Sequence, residues 1–387
     1  MKYFSTFSGI GGFELGIQQA YENILSQETA KQFREKDAKE IRSKGGKPNN
    51  EGNTRLGDSG TELQQHSIER PIGQPTCIGY SEIDKYAIQI YEKHFPKHKN
   101  YGDISAINPN ALPDFDVLVG GFPCQAFSIA GKRMGFSDTR GTLFFDIARI
   151  AKQKQPRLLL LENVKGLLSH DQGRTFYTII TTLDELGYDL QWQVLNSSGF
   201  GVPQNRERVF IIGHLRGTPR PEIFPFGESD SRTDESQEKG KLVRLNNPTH
   251  SNDRVYGTDG VSPTLNTAQG GNRQPFVAMT EKRTEEAKKI RRETKDRDFS
   301  PRRGKQLEPR TDDMSNCVTS GQSKESLLTS GSKIRRLTPT ECERLQAFPD
   351  GWTEGLSDTQ RYKTLGNAVT VNVIRDICEK LLVTKSI

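Results

Sequence analysis

Cysteine is scarce in this chain and scattered. Cys77, Cys124, Cys317, Cys342 and Cys378 are its only five in 387 residues, and no pair has metal-ligand spacing. That excludes a zinc knuckle or a disulfide framework, and an odd, dispersed set fits a reducing, cytoplasmic compartment. Long apolar runs are missing too, since none approaches the roughly 20 residues of a membrane-spanning helix. Met1-Lys2-Tyr3-Phe4-Ser5 passes straight into a strand pattern with no secretory leader. No membrane partner is therefore expected. Apolar residues are few in general, at 32% of the chain with mean hydropathy −0.71, so part of the sequence adds little to a core. What the chain has in modest excess is positive charge, +6 with a pI near 8.9. That suits a polyanionic partner without requiring one.

Alternating strands and helices fill much of the rest. Residues 2–7, 76–80, 116–120, 157–161, 190–195 and 208–213 read as strands, and 84–95, 141–154 and 173–186 as helices. This rhythm predicts an α/β fold, a doubly wound and mostly parallel sheet with helices on both faces. Two stretches break it. About 26–75 is rich in Gln, Glu, Lys, Asn and Gly, with Phe33 its sole aromatic, and reads as a polar insertion, partly helical near 28–43. Residues 216–335 are rich in Pro, Gly, Ser, Thr and Arg, with short β-like pieces at 254–256 and 275–278. A charged helix is expected at 280–298, where Glu285/Lys289 and Glu293/Arg297 make i,i+4 pairs. Residues 281–310 carry 12 Lys/Arg against 7 Asp/Glu, which reads either as a solvated face or as a phosphate-facing surface. Order returns at Thr338-Pro339-Thr340-Glu341, a capping-box helix start, and a last helix is expected over about 367–382. Three parts follow: a first domain over 1–215 with its insertion, a smaller irregular domain over 216–335, and C-terminal helices over 336–387.

Several places on this frame suit chemistry. Gly9-Ile10-Gly11-Gly12 follows the first strand, where glycines let a ligand approach the backbone and a helix N-terminus offers N–H groups. Its spacing is not GxGxxG, which leaves a nucleoside cofactor or a mere tight turn. Glu82 follows the second strand, 71 positions after Gly11. Without the polar insertion that gap shrinks to the roughly 20 residues at which an acid meets ribose hydroxyls. Asp84 reads as the next helix's N-cap. Asp103, in Gly102-Asp103-Ile104, suits a cofactor amine or a plain turn. In Gly121-Phe122-Pro123-Cys124-Gln125 a cysteine stands past the carboxyl end of an apolar strand, where open α/β sheets do chemistry. Cys124 is a candidate nucleophile or a small buried hydrophobe. Glu162 reaches the same edge after strand 157–161, as an acid with a raised pKa or as a helix-capping loop residue. Arg206 and Arg208, alternate residues of Gln204-Asn205-Arg206-Glu207-Arg208, share a face that suits a phosphate or base edge, or a salt-bridge ladder with Glu207.

With Phe7-Ser8 before the glycine turn, Asn163-Val164 after Glu162 and Gly366-Asn367-Ala368-Val369 near the far end, these motifs form an ordered series. The series closely resembles the DNA (cytosine-5) methyltransferases, above all the bacterial and phage modification enzymes, over about residues 1–24, 76–214 and 334–387. The resemblance implies an S-adenosylmethionine-dependent, Rossmann-like catalytic domain, with 216–335 as a target-recognition domain. It also implies a duplex DNA substrate whose cytosine is flipped out. Cys124 would add to carbon 6 of that base, activating carbon 5 to take the methyl group. Glu162 would hold ring nitrogen 3 and the exocyclic amine, Arg206 oxygen 2, with Arg208 supporting the site. Gly131 to Ile150 resembles the family's mobile catalytic loop and following helix, and Gln125, Ser128, Lys132 and Arg133 would meet the DNA. For S-adenosylmethionine the resemblance implies Phe7, Gly9, Gly11, Gly12, Glu82, Ile83, Asp103, Ile104, Gly121, Pro123 and Leu143, closed over by Asn367, Ala368 and Val369. Ser262-Pro263-Thr264-Leu265 and Gly270-Gly271 resemble the segment that touches backbone around the flipped base, with Thr264 as a DNA contact.

A monomer is expected, without a metal, and with a partner endonuclease where the setting is a restriction-modification system; a phage or orphan modification enzyme is the other setting. A tRNA cytosine methyltransferase on the same scaffold and a non-catalytic DNA-binding relative remain as rivals. The large 216–335 insert speaks against the first and the intact Cys124, Glu162 and Arg206 against the second. A nicotinamide oxidoreductase fits the glycine spacing worst.

Overall fold

The computed structural model describes residues 1–43, 73–123, 143–226, 255–256, 262–265, 276–283, 305–309 and 332–383. A six-stranded sheet organises it: β1 (Lys2–Thr6), β2 (Thr76–Ser81), β3 (Val117–Gly121), β4 (Leu158–Val164), β5 (Tyr188–Asn196) and, after a two-residue strand β6 (Gln204–Asn205), β7 (Glu207–Leu215). Their order across the sheet is β2-β1-β3-β4-β7-β5. The first four run parallel, and β7 is antiparallel to both β4 and β5. The expected mostly parallel sheet is present, and the order reverses beside β1, where such sheets bind ligands.

Strict alternation along the strands builds the two cores. Tyr3, Val119, Leu160 and Phe210 face one way, onto helix α1 (Gly12–Ser43) and the last helix. Phe4, Leu118, Leu161 and Ile211 face the other, onto α3 (Leu143–Lys154) and α4 (Arg174–Glu185). Both faces are covered, so the strands read as unbroken apolar runs rather than as alternating ones. Helix α2 (Lys85–His94) lies between β2 and β3 in the chain and is capped by Asp84, whose side chain accepts the Tyr86 and Ala87 N–H groups.

Helix α1 continues as one helix to Ser43 and so takes in the stretch near 28–43 that was expected to be partly helical. No proline or glycine interrupts it between Gly16 and Ser43, and Gln, Glu, Lys and Ala sustain a helix without burial. The charged helix expected at 280–298 is replaced over its first residues by a strand, β10 (Phe276–Arg283), while 284–298 lie outside the described residues. Pairing of β10 with β11 (Lys305–Pro309), β12 (Ser332–Arg336) and β8 (Val255–Tyr256) overrides the i,i+4 charge pattern. Near the end of the chain, α5 (Pro339–Leu345) has its expected capping box on Thr338 and Glu341. The last helix, expected over about 367–382, is α7 (Val371–Val383), and a further helix α6 (Asp358–Asn367) comes before it, ended by Ala368 in an extended conformation.

A third core joins these C-terminal helices to the glycine turn: Ile10, Leu15, Leu345, Trp352, Leu365 and Ala368 pack together. The Trp352 indole N–H donates to the Ile10 carbonyl at 2.9 Å. No described helix is long and apolar enough to cross a membrane.

Candidate active site

Parallel pairing delivers the loops after β1, β2, β3 and β4 to one edge of the sheet. After β1 the chain turns sharply, with positive φ at Phe7, Gly9 and Gly11 (52°, 56° and 88°). A Cβ added at Gly9 would meet no atom within 4 Å, so the turn faces an open cradle. At Gly12 it would lie 2.7 Å from Val369 Cγ2, so the far end of the chain closes on this turn. Glu82 is held by main chain alone: Oε2 accepts the Gly9 N–H at 2.9 Å, and Oε1 accepts those of Ile83 and Asp84 at 2.8 Å each. Ile83 beside it is 71% exposed. Asp103 caps a short turn through the Ser105 N–H and hydroxyl, both at 2.9 Å, and Ile104 is buried. Phe7 and Leu143 are half-buried, Asn367 is exposed at the end of α6, and Ala368 and Val369 are buried. An open glycine cradle, an oriented carboxylate and an exposed isoleucine next to it fit a nucleoside, with ribose hydroxyls for the carboxylate and a flat base against the isoleucine.

The β3–β4 register sets Gly121 beside Glu162. A Cβ at position 121 would lie 2.8 Å from Glu162 Oε2, so a side chain there would push this carboxyl aside. Arg208 Nε meets Glu162 Oε1 at 3.0 Å. Burial pushes the Glu162 carboxyl above its ordinary range, and Arg208 and Arg206 offset only part of the rise. The buried Asn163 amide donates to the Phe122 carbonyl at 2.8 Å, tying the loop after β3 to the end of β4. Pro123 is exposed, and Cys124, next in the chain, lies outside the described residues together with Gln125, Ser128, Lys132 and Arg133.

Arg206 behaves differently from Arg208. Its guanidinium donates to three carbonyls, Leu265 at 3.3 Å, Gly366 at 3.2 Å and Ala368 at 2.8 Å. Its Nε has no acceptor among the described residues. Burial, then the neighbouring Arg208, pushes its pKa down to about 9. The structure thus gives Arg208, rather than Arg206, to Glu162. The Glu207 carboxylate pairs with Lys165 at 2.8 Å, while its main-chain carbonyl accepts from Arg208 Nη1 at 2.8 Å. Thr264 is exposed, with its hydroxyl donating to the Asn205 carbonyl at 2.7 Å.

Sequence reasoning did not single out Asn163, Gln204 or Glu14. Gln204 is wholly buried and stands two residues before Arg206, a period-2 signal that was there to be read. Glu14 is an acid in the first turn of an otherwise apolar helix start. It is buried with no close hydrogen bond to either oxygen among the described residues, and desolvation raises its pKa to about 7 against a partial lowering by nearby Ser5 and Tyr91.

This geometry has company among known proteins. A type II methyltransferase of Lactococcus lactis subsp. cremoris, M1.ScrFI, is 39% identical over 331 residues, covering 84% of this chain and 76% of that one. The orphan methyltransferase M.SPRI of Bacillus phage SPR is 31% identical, covering 79% of this chain and 92% of that one. Among solved structures, the Dnmt2 methyltransferase of S. pombe superposes with a TM-score of 0.58 at 16% identity, over 100% of this chain and 99% of that one, a likeness of fold. The family model for C-5 cytosine-specific DNA methylases matches residues 52–383. The chain belongs to that family and is a DNA (cytosine-5) methyltransferase.

Proposed function

We propose that the protein is a sequence-specific modification enzyme that methylates carbon 5 of a cytosine flipped out of duplex DNA. The observation that carries this reading is the buried Glu162–Arg208 pair, set against Gly121 on the strand that leads to Cys124. When bound, S-adenosylmethionine supplies an electrophilic methyl group. Phe7, Gly9, Gly11, Gly12, Glu82, Ile83, Asp103 and Ile104 would hold it, with Gly121, Pro123 and Leu143 and the turn Asn367-Ala368-Val369 completing the pocket. The open space over Gly9 and the backbone-held Glu82 support that assignment.

Cys124 forms a bond from sulfur to carbon 6, which turns carbon 5 into a nucleophile. After carbon 5 gains the methyl group it loses its proton, and the electron pair released expels the thiolate. A carboxyl kept in its protonated form donates to ring nitrogen 3 and so draws off the charge that the sulfur brings. The raised pKa of Glu162 suits it to that task. Arg208 orients Glu162 and faces oxygen 2, so the roles expected for the two arginines are exchanged. Extruding the base costs a few kcal/mol, and Gln125, Ser128, Lys132 and Arg133, on the segment after Cys124, hold the opened duplex. Residues 216–335 choose the target, and Thr264 contacts backbone beside it. The setting is a restriction-modification system with a cognate endonuclease, or a phage or orphan enzyme acting alone.

Expression in a host free of 5-methylcytosine, followed by genome-wide mapping, tests this. One short methylated motif is expected, absent with Cys124→Ala. Methylation that survives Cys124→Ala, or that appears on tRNA and not on duplex DNA, overturns the reading.

A further inference from the structure

Residues 203–206 make a junction that neither the catalytic nor the cofactor role of this edge requires. Strand β6 pairs in parallel with β9 (Ser262–Pro263), and the Ser262 N–H donates to the Pro203 carbonyl at 2.6 Å. The main chain of Leu265 in the insert is held on both sides by two side chains of the same strand run. Gln204 Oε1 accepts the Leu265 N–H at 3.4 Å, and Arg206 donates to the Leu265 carbonyl at 3.3 Å. Each side chain has a second end in the C-terminal helices. Gln204 Nε2 donates to the Leu345 carbonyl at 2.8 Å, and Arg206 donates to Gly366 and Ala368, which flank Asn367. The Leu265 side chain is itself buried in the core that holds Ile10 and Ala368. Among the described residues Arg206 touches no carboxylate, since Glu162 is taken by Arg208. A buried cation held by carbonyls of two distant segments is sensitive to the position of both.

We propose that Arg206 is a positioning residue that couples the seating of the recognition segment 262–265 to the turn 366–369 closing the cofactor pocket, so that DNA and cofactor reinforce each other's binding. This rests on the functional reading above for what each segment meets. Coupling of this kind is reciprocal, so it is readable from either ligand.

Hydrogen–deuterium exchange of the full chain, with and without S-adenosylhomocysteine, tests it. In the wild type the probe is expected to slow exchange at 366–371 and also at 204–206 and 262–265, by about tenfold or more, the size of a typical coupling. Arg206→Gln keeps the slowing at 366–371 and loses it at 262–265. Arg206→Lys, which keeps the charge but reaches fewer carbonyls, loses part of it and serves if the Gln variant does not fold. In parallel, duplex DNA is expected to tighten S-adenosylhomocysteine binding to the wild type by about tenfold and to the Gln variant by less than about twofold. Slowing at 262–265 that survives Arg206→Gln, or a wild type that protects 366–371 alone, overturns the coupling. The functional reading fails separately: a wild type that shows the coupling yet puts no methyl on duplex DNA leaves Arg206 its role and removes the substrate.

Discussion

Two glutamates stand at one edge of one sheet and are held in opposite ways. At the proposed cofactor end Glu82 takes three main-chain N–H groups and, among the described residues, no cation. At the base end Glu162 is buried, takes Arg208 and is drawn toward its protonated form. The backbone fixes the direction of a carboxylate and keeps it an acceptor. Burial opposed by a guanidinium instead sets whether a carboxyl carries a proton. The first arrangement suits a partner that is held, the second a partner that changes charge as it reacts. The division of labour thus follows from what each loop offers its glutamate, not from the residue type.

The sharpest way to break this comparison is Glu162→Gln. The single-turnover methylation rate should fall by about 10²–10⁴-fold, the usual range for a positioned acid, with S-adenosylhomocysteine affinity by calorimetry nearly unchanged. An affinity loss as large as the rate loss would merge the two ends into one site. Next comes Glu14, buried like Glu162 but with no arginine beside it. Around it lie Tyr3, Cys77 and Tyr91, which raise no compensating positive charge. Its pKa is raised from 4.5 to about 7, so as pH rises the unfolded chain gives up this proton first. Stability is therefore greatest below the unfolded value and is lost as pH climbs to the folded value, by about 3 kcal/mol in all. Denaturation of wild type and Glu14→Gln at about pH 5 and about pH 8 should show a steeper loss of stability with pH in the wild type than in the variant. An equal slope in both would mean that Glu14 is not the buried acid. The smallest effect belongs to Glu82→Gln, which exchanges one acceptor oxygen for an amide. S-adenosylhomocysteine affinity should weaken by about tenfold, as for a lost charge-assisted bond, with the rate at saturating cofactor retained. A rate loss with intact affinity would place Glu82 on the chemical side.

The sheet was legible because its strands are apolar on both faces and its loops carry acids, glycines and a cysteine at one edge. Asp84 as a cap and the box at Thr338 were legible because capping is local. What could not be read was decided at long range. Helix α1 runs unbroken to Ser43, where composition suggested an insertion only partly helical near 28–43. Strand β10 owes its place to partners about 30 and 55 residues further along the chain. The separate destinations of Arg206 and Arg208 depend on Leu265, Gly366 and Ala368, which nothing near position 206 announces. Glu162 was legible as an acid at the edge, but the glycine standing opposite it was a matter of register.

The closing of residues 352–371 over the glycine turn has a consequence for how the protein is made. Trp352 bonds Ile10, Val369 packs on Gly12, and α7 completes the core beneath α1. A chain emerging from the ribosome builds its sheet first and meets these partners last. Until then the edge has its acids and its glycines but no finished pocket. A chain cut before residue 352 would therefore lack the Trp352 and Val369 contacts that close the glycine turn.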